Sequence, residues 1–251
     1  MINTYKGGIL FYLALFVAGS MFLPMLASCG KDNGTTLNTA NAQVNLINVS
    51  PDVLPFNLYS RLNTSFVQLG TTNYTYPTAS GYFLLNVAET PFLLRPSRVN
   101  NLEIVNLLPE VDTFQRNVRY TWFVTGLRAD SSLSSVIITD TSSLPAIGRG
   151  KIRFVNVSPN APPLNLTAND TTAFRGIGYK GVSKFIEVTA GNYNFNVVSS
   201  AAPGIAIKSM RNVPILDGRL YTVYAYGLTG RQDTAAFNTN IILNTVPLKY
   251  N

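Results

Sequence analysis

Residues 44–58 read VNLINVSPDVLPFNL, and residues 152–166 read IRFVNVSPNAPPLNL. At an offset of 108, seven of the fifteen positions are identical: Asn48/Asn156, Val49/Val157, Ser50/Ser158, Pro51/Pro159, Pro55/Pro163, Asn57/Asn165 and Leu58/Leu166. A second block agrees. Residues 120–127, YTWFVTGL, match residues 221–228, YTVYAYGL, at an offset of 101. The chain is therefore duplicated, and the second copy is shorter between the blocks, where a surface loop absorbs the difference. Repeats this far apart are two domains rather than turns of a solenoid, whose units run to only about 20–50 residues. The joint falls in the Ser-, Pro- and Gly-rich run 142–150, SSLPAIGRG. It divides the chain into domains 42–147 and 148–251.

The pattern inside each copy is that of strands and turns. In Lys151–Val157, Ile152, Phe154 and Asn156 fall on one face, and Arg153, Val155 and Val157 on the other. Gln43–Val49 opens the first copy in the same way. Ser-Pro-Asp or Ser-Pro-Asn then makes a turn, because Pro fixes φ and the Asx side chain bonds nearby backbone. Further strands are expected at Phe56–Tyr59, Tyr82–Val87, Phe92–Arg95, Leu102–Leu108, Tyr120–Leu127 and Ser135–Thr139. In the second copy they are expected at Leu164–Thr167, Lys184–Val188, Tyr193–Ser199, Ile205–Met210, Leu220–Leu228 and Asn240–Val246. No window after residue 40 carries a helical period with caps. The expected fold is all-β: two tandem antiparallel β-sandwich (Ig-like) domains, with a small barrel as the alternative.

Composition narrows the chemistry. Charged residues make up 12% of the 251-residue chain, against about a quarter in ordinary domains. There is no His, so the commonest general base and metal ligand is missing, and one Cys allows neither an internal disulfide nor a thiolate cluster. Residues 42–147 hold six Arg against seven acids, and residues 148–251 hold eleven cations against four acids. The basic copy could face acidic glycan, anionic lipid or nucleic acid. Its cations are scattered rather than run together, so a nucleic-acid partner is not expected.

The N-terminus reads as an address. Lys6 precedes the uncharged apolar run 9–27, ILFYLALFVAGSMFLPMLA. A membrane span competes for this stretch. Gly19, Pro24 and the small residues that follow favour a cleaved signal peptide, 1–28. Leu26-Ala27-Ser28-Cys29 resembles the lipobox of bacterial lipoproteins. That resemblance implies cleavage before Cys29, a diacylglycerol on its thiol and an acyl chain, such as palmitate, on the new amine. The partner would then be a membrane, held through Cys29. Each buried CH₂ contributes about 0.8 kcal/mol, so several chains anchor durably. Residues 29–41 would form a lipidated Cys and flexible tether. The expected address is the outer membrane, surface-exposed or periplasm-facing.

The phrases Phe-Val-Asn-Val-Ser-Pro-Asn-Ala-Pro (154–162) and Leu-Ile-Asn-Val-Ser-Pro-Asp-Val-Leu-Pro (46–55) resemble an extracellular β-domain family known only as a domain of unknown function. Its members show V-S-P-D-A-P after the first strand, occur in tandem and follow a lipoprotein signal. Residues 190–197 (AGNYNFNV) and 221–227 (YTVYAYG) are similar to it as well. The first copy departs at Glu89-Thr90-Pro91-Phe92, where a turn Gly is expected. The resemblance implies fold and export, and brings no catalytic residues.

Candidate chemistry is sparse. Ser50 and Ser158 lack a base and read as turn formers. Glu110 and Asp112 read as solvated acids rather than a glycosidase pair. Asn169-Asp170 and Asp217-Gly218 are too isolated for calcium. Gly176–Gly181 reads as a mobile loop with one basic residue, lacking the strand-to-helix context of a phosphate cradle. Asp170-Thr171-Thr172 and Asp233-Thr234-Ala235 resemble a bacterial O-glycosylation signal, and read more simply as surface turns. Tyr224 and Tyr226 share one strand face, while Trp122 aligns with Val223 on the other, an arrangement for packing. Tyr74 and Tyr76, in a Thr-rich loop, are the candidate ligand-binding residues, since exposed rings serve as stacking platforms. No catalytic residue, metal or cofactor is expected. The expected role is a non-enzymatic envelope lipoprotein for surface adhesion, structure or protein interaction. The alternative is a glycan- or peptide-binding subunit beside an outer-membrane uptake system.

Overall fold

The alternation that opens each copy does form a strand, and the repeat carries over into topology. The computed structural model describes residues 41–97 and 105–245. The signal peptide, Leu26, Ala27, Ser28, Cys29, the tether up to residue 40 and residues 98–104 and 246–251 lie outside them. In chain order the strands are β1 (Asn41–Asn48), β2 (Phe56–Leu62), β3 (Ser65–Gln68), β4 (Ala79–Asn86), β5 (Phe92–Pro96), β6 (Arg119–Thr125) and β7 (Ser134–Thr139). They continue as β8 (Arg149–Asn156), β9 (Leu164–Ala168), β10 (Thr171–Ile177), β11 (Ile186–Thr189), β12 (Gly191–Ser199), β13 (Ala202–Ile215), β14 (Leu220–Tyr226) and β15 (Asn238–Leu243). One 3-10 turn, Val87–Glu89, is the only helical element among the described residues, and none of their helices is long and apolar enough to cross a membrane.

Each half is a sandwich of two sheets. One sheet of the first half has the order β4-β1-β6-β7, and its repeat mate in the second half is β11-β8-β14-β15. The other sheets are β3-β2-β5 and β10-β9-β12-β13. Pairing is antiparallel except for β1 with β6 and β8 with β14, which run parallel at the centres of the first two sheets. The fourth strand, β13, has no regular counterpart among the described residues of the first half, where Val111 pairs with Phe92 of β5 in an isolated bridge. There the expected strand Leu102–Leu108 is not formed in its described part: residues 105–108 are irregular, although Leu107 N still donates to Leu94 O at 2.8 Å.

Two hairpins escaped the sequence reading. β2 and β3 join through Asn63-Thr64, with Leu62 opposite Ser65 and Asn63 at φ 56°. β9 and β10 join through Asn169-Asp170, with Ala168 opposite Thr171 and φ values of 47° and 63°. Two-residue loops with positive φ match strand twist and favour Asn and Asp.

The layers follow from which faces are apolar. Ala42, Val44 and Leu46 of β1 and Trp122 and Val124 of β6 pack with Phe56, Leu58, Phe92 and Leu94 to form one core. Ile152, Phe154, Val223 and Ala225 pack with Leu164, Leu166, Phe195 and Val197 to form its repeat mate. The opposite faces of the two parallel-centred sheets are also apolar, and they meet. Ile47, Val49, Phe123, Val136 and Ile138 join Val155, Val157, Tyr224, Tyr226 and Ile242 in a third core. The described residues thus form four β-layers, with two inner sheets back to back and an outer sheet on each side. β6 and β14 are buried on both faces as a result. All described residues belong to one compact unit.

Candidate functional site

The repeated Asn-Val-Ser-Pro-Asx phrase is a clamp. Asn48 Oδ1 accepts from Ser50 N at 3.1 Å, and Asn156 Oδ1 from Ser158 N at 3.1 Å, each closing an Asx turn. Ser50 Oγ donates to Gly126 O at 2.8 Å, and Ser158 Oγ to Gly227 O at 2.6 Å. Asp52 accepts from Arg128 N and Ala129 N, both at 2.9 Å, and Asn160 accepts from Thr229 N at 2.8 Å. The phrase therefore ties the first turn of each half to the turn after its central parallel strand. Gly126 and Gly227 must be glycine there. Their φ values are +90° and +75°, and a Cβ would stand 2.2 Å from Ser132 O and 2.4 Å from Ala236 O. Both serines are fully buried and occupied by carbonyls, as turn formers should be.

Tyr74 and Tyr76 are not presented as a stacking platform. Tyr74 is 6% exposed. It bonds to Phe56 in an isolated bridge and stacks on its ring at 5.7 Å. Tyr76 is half-buried and edges onto Tyr226 across the third core, with centroids 6.1 Å apart. Its hydroxyl is buried without a partner. The stretch lacks regular strand hydrogen bonding, so it reads as a loop, yet its rings fill two cores. The Gly176–Gly181 stretch is likewise held, not mobile: Lys180 N donates to Asn156 O and Asn156 N to Gly181 O, at 2.8 and 3.0 Å.

The chemistry-bearing side chains that do converge lie between the inner sheets. Asp140 accepts from Tyr82 Oη at 2.6 Å and Thr121 Oγ1 at 2.7 Å. Arg153 Nη2 donates to its other oxygen in a buried ion pair. Arg153 also donates to Thr139 O at 2.7 Å and Thr222 Oγ1 at 2.8 Å, and its guanidinium lies 4.6 Å from the Phe185 ring centroid. Thr222 donates to Asn244 Oδ1 at 2.7 Å, and Asn244 Nδ2 donates to Tyr82 Oη at 2.9 Å. Thr121 and Thr222 are repeat mates, so one network is built from equivalent positions of both halves. Burial pushes the Asp140 carboxyl above the usual range, against the pull of Arg153 and the two hydroxyls. Burial also lowers the Arg153 guanidinium, against the pull of Asp140. Every group is satisfied by another of this network or by backbone. It is a lock, with no open position for a substrate.

What remains open lies on the outer layers. β13 is a 14-residue edge strand, paired among the described residues only to β12, and exposed on both faces from Ala202 to Ser209. Ile205 is 73% exposed and Ile207 is exposed beside it. Lys208 and Arg211 are its only charged residues. Three register shifts interrupt its pairing with β12. The sequence predicts a strand only at Ile205–Met210. The pairing partner Gly191–Ser199, rather than local alternation, sets the full length.

Comparison with known proteins gives a family. The model of the family described as "Domain of unknown function (DUF4397)" matches residues 42–167 and again 150–244. No curated protein matches the chain. Among solved structures, the chain is similar to the Bacillus anthracis TIE protein, at 10% identity and a TM-score of 0.24, over 73% of this chain and 33% of that one. It thus spans about a third of that structure. It is also similar to CBMbc, a family CBM26 module of Eubacterium rectale Amy13K solved with maltoheptaose, at 13% identity and a TM-score of 0.22, over 82% and 98% of the two chains.

Proposed function

The chain belongs to the DUF4397 family through both of its halves, and from that premise we propose that it is a non-enzymatic, lipid-anchored protein of the bacterial cell envelope that binds other proteins. The lipobox-like Leu26-Ala27-Ser28-Cys29 supports the anchor and the outer-membrane address. The observation that carries protein binding is β13. A long open strand edge offers a ladder of backbone donors and acceptors, to which an extended segment of another protein adds as a further strand. Exposed Ile205 and Ile207 supply apolar contact beside that ladder. Lys208, Arg211 and the excess of cations in the second half favour an acidic segment over a second copy of β13, whose own cations would repel. The buried serines and the satisfied Asp140–Arg153 network support a binding role over catalysis.

The test has two arms. Protease treatment of intact cells should digest the native protein at the surface, while the Cys29→Ala variant should leave the membrane fraction. Amine-reactive cross-linking on the same cells should trap the native protein in a heavier species. The double variant Ile205→Asp, Ile207→Asp, changed only at exposed positions, should not form it. Retention of uncleaved Cys29→Ala in the membrane defeats the lipoprotein reading. An unchanged cross-linking pattern defeats the β13 reading.

A further inference from the structure

We infer that the first half carries a second, separate binding site: a groove for an uncharged carbohydrate on the inward-facing side of β7. It lies where the described residues of the two halves differ in the outer sheet. In the second half the outer sheet has four strands, and β13 lies against β15, the repeat mate of β7. In the first half the described residues at that place, 105–118, pair with β5 only irregularly, at Leu107 and Val111, and turn Leu108, Val111 and Phe114 into the core, and they leave alternate residues of β7 facing an opening. A groove of about 710 Å³ results, walled on its other side by Thr113–Val118. That volume is in the range of small-molecule sites, about 300–1,000 Å³.

The lining decides the ligand class. Thr113, Gln115, Ser135, Thr139 and Thr141 bring four hydroxyls and an amide to the groove, each able to donate and to accept. Ser135 Oγ already accepts from Trp122 Nε1 at 2.8 Å, which leaves its proton free to donate outward. Tyr120 Oη, also in the lining, accepts from Gln115 N at 3.1 Å and likewise keeps its proton. Ile137 and Val118 form the apolar patches between these groups. Among the described residues no charged side chain contributes to the lining, so there an ionic ligand would be desolvated without a counter-charge. Sugars carry hydroxyls around an apolar ring face, and a neutral glycan matches both features. A peptide strand is matched less well, because the groove presents side-chain hydroxyls on a sheet face rather than a free backbone ladder. The wall residues Thr113 and Gln115 and the β7 residue Thr139 are exposed and available to a ligand without rearrangement.

The experiment is native gel electrophoresis of the detergent-solubilised full-length protein through gels containing soluble polysaccharides. The panel is a β-glucan, an α-glucan, a galactomannan and an arabinoxylan, with heparin as the anionic control. At least one neutral polymer should retard the native protein. Gln115→Ala and Thr139→Trp should each weaken that retardation at least tenfold, with an unchanged unfolding midpoint. The Ile205→Asp, Ile207→Asp variant should be retarded normally, which separates this site from the β13 edge. The inference is overturned if no neutral polymer retards the protein, if both groove variants are retarded as strongly as the native chain, or if only heparin does so.

Discussion

Removing Arg153 and removing Asp140 should have different consequences, because only one of the orphaned partners can discharge itself. The Arg153 side chain is 5% exposed and that of Asp140 fully buried. Breaking such a pair from one side typically costs about 3–5 kcal/mol. In Arg153→Met, the Asp140 carboxyl keeps Tyr82 and Thr121 as donors but loses the cation that holds it down. Burial, already its largest influence, then raises it further. A carboxyl whose folded-state pKa lies above its unfolded value stabilises the fold fully below the unfolded pKa, and loses that contribution as pH rises through the folded one. Lowering pH should therefore relieve Arg153→Met, by at most about 1.4 kcal/mol per pH unit. In Asp140→Asn the buried guanidinium stays charged across the accessible range, so lowering pH brings it no relief. The assay is urea unfolding of native protein and both variants at pH 5.5 and 8.0, with each variant compared with native at the same pH. We expect Arg153→Met to lose about 3–5 kcal/mol at pH 8.0 and markedly less at pH 5.5, with Asp140→Asn at least as impaired at pH 5.5 as at pH 8.0. An Arg153→Met deficit independent of pH, or below about 1 kcal/mol, refutes the assignment of this pair as the charged lock between the halves.

Two further substitutions probe the packing on either side of that lock. Tyr76→Phe removes a buried hydroxyl without a partner and keeps the ring against Tyr226. It should leave stability unchanged or raise it by up to about 1 kcal/mol, read as the unfolding midpoint. Gly126→Ala puts a methyl group 2.2 Å from Ser132 O at a φ of +90°. It should cost at least about 1–3 kcal/mol, and Ser50→Ala, which strips the Gly126 carbonyl of its donor, should cost about 1–3 kcal/mol, both by the same unfolding measurement.

The sandwiches were legible because the signal behind them is local. Alternation in Lys151–Val157 and Leu220–Leu228 assigns each residue to a face, and the structure puts Tyr224 and Tyr226 on the face opposite Val223. The sequence does not announce that both faces are buried, since apolar residues on the second face are compatible with an exposed sheet, a ligand or another layer. Arg153 illustrates the difficulty. On a face with Val155 and Val157 it reads as a surface cation, and only the chain packed against it reveals Asp140 as its partner. Tyr74 and Tyr76 misled for the related reason that Thr-rich surroundings look solvated, while the rings themselves reach into cores. β3 and β10 went unread because they are mostly exposed, with burial patterns that lack a core-facing stripe. The Asn63-Thr64 and Asn169-Asp170 turns were their available signal.

Back-to-back packing constrains where such a molecule can bind anything. The inner sheets give both faces to cores, and the repeated Ser-Pro-Asx turns are committed to clamping. Recognition is left to the outer sheets, their edges and the openings beside them. Duplication would make those surfaces equivalent if the copies were alike. Among the described residues they differ at the fourth strand of the outer sheet. Where that strand is present, as β13, it projects an open ladder with Ile205 and Lys208 exposed. Where the described residues form no regular strand, part of the β7 face lines a groove whose described lining is uncharged. One local divergence after duplication thus yields two surfaces of opposite character, a basic edge suited to an extended acidic segment and an uncharged groove suited to sugar hydroxyls. The lock at Asp140 and Arg153 holds them in one body, so binding at either surface need not disturb the other. The prediction that β13 variants leave polysaccharide retardation intact follows from that separation.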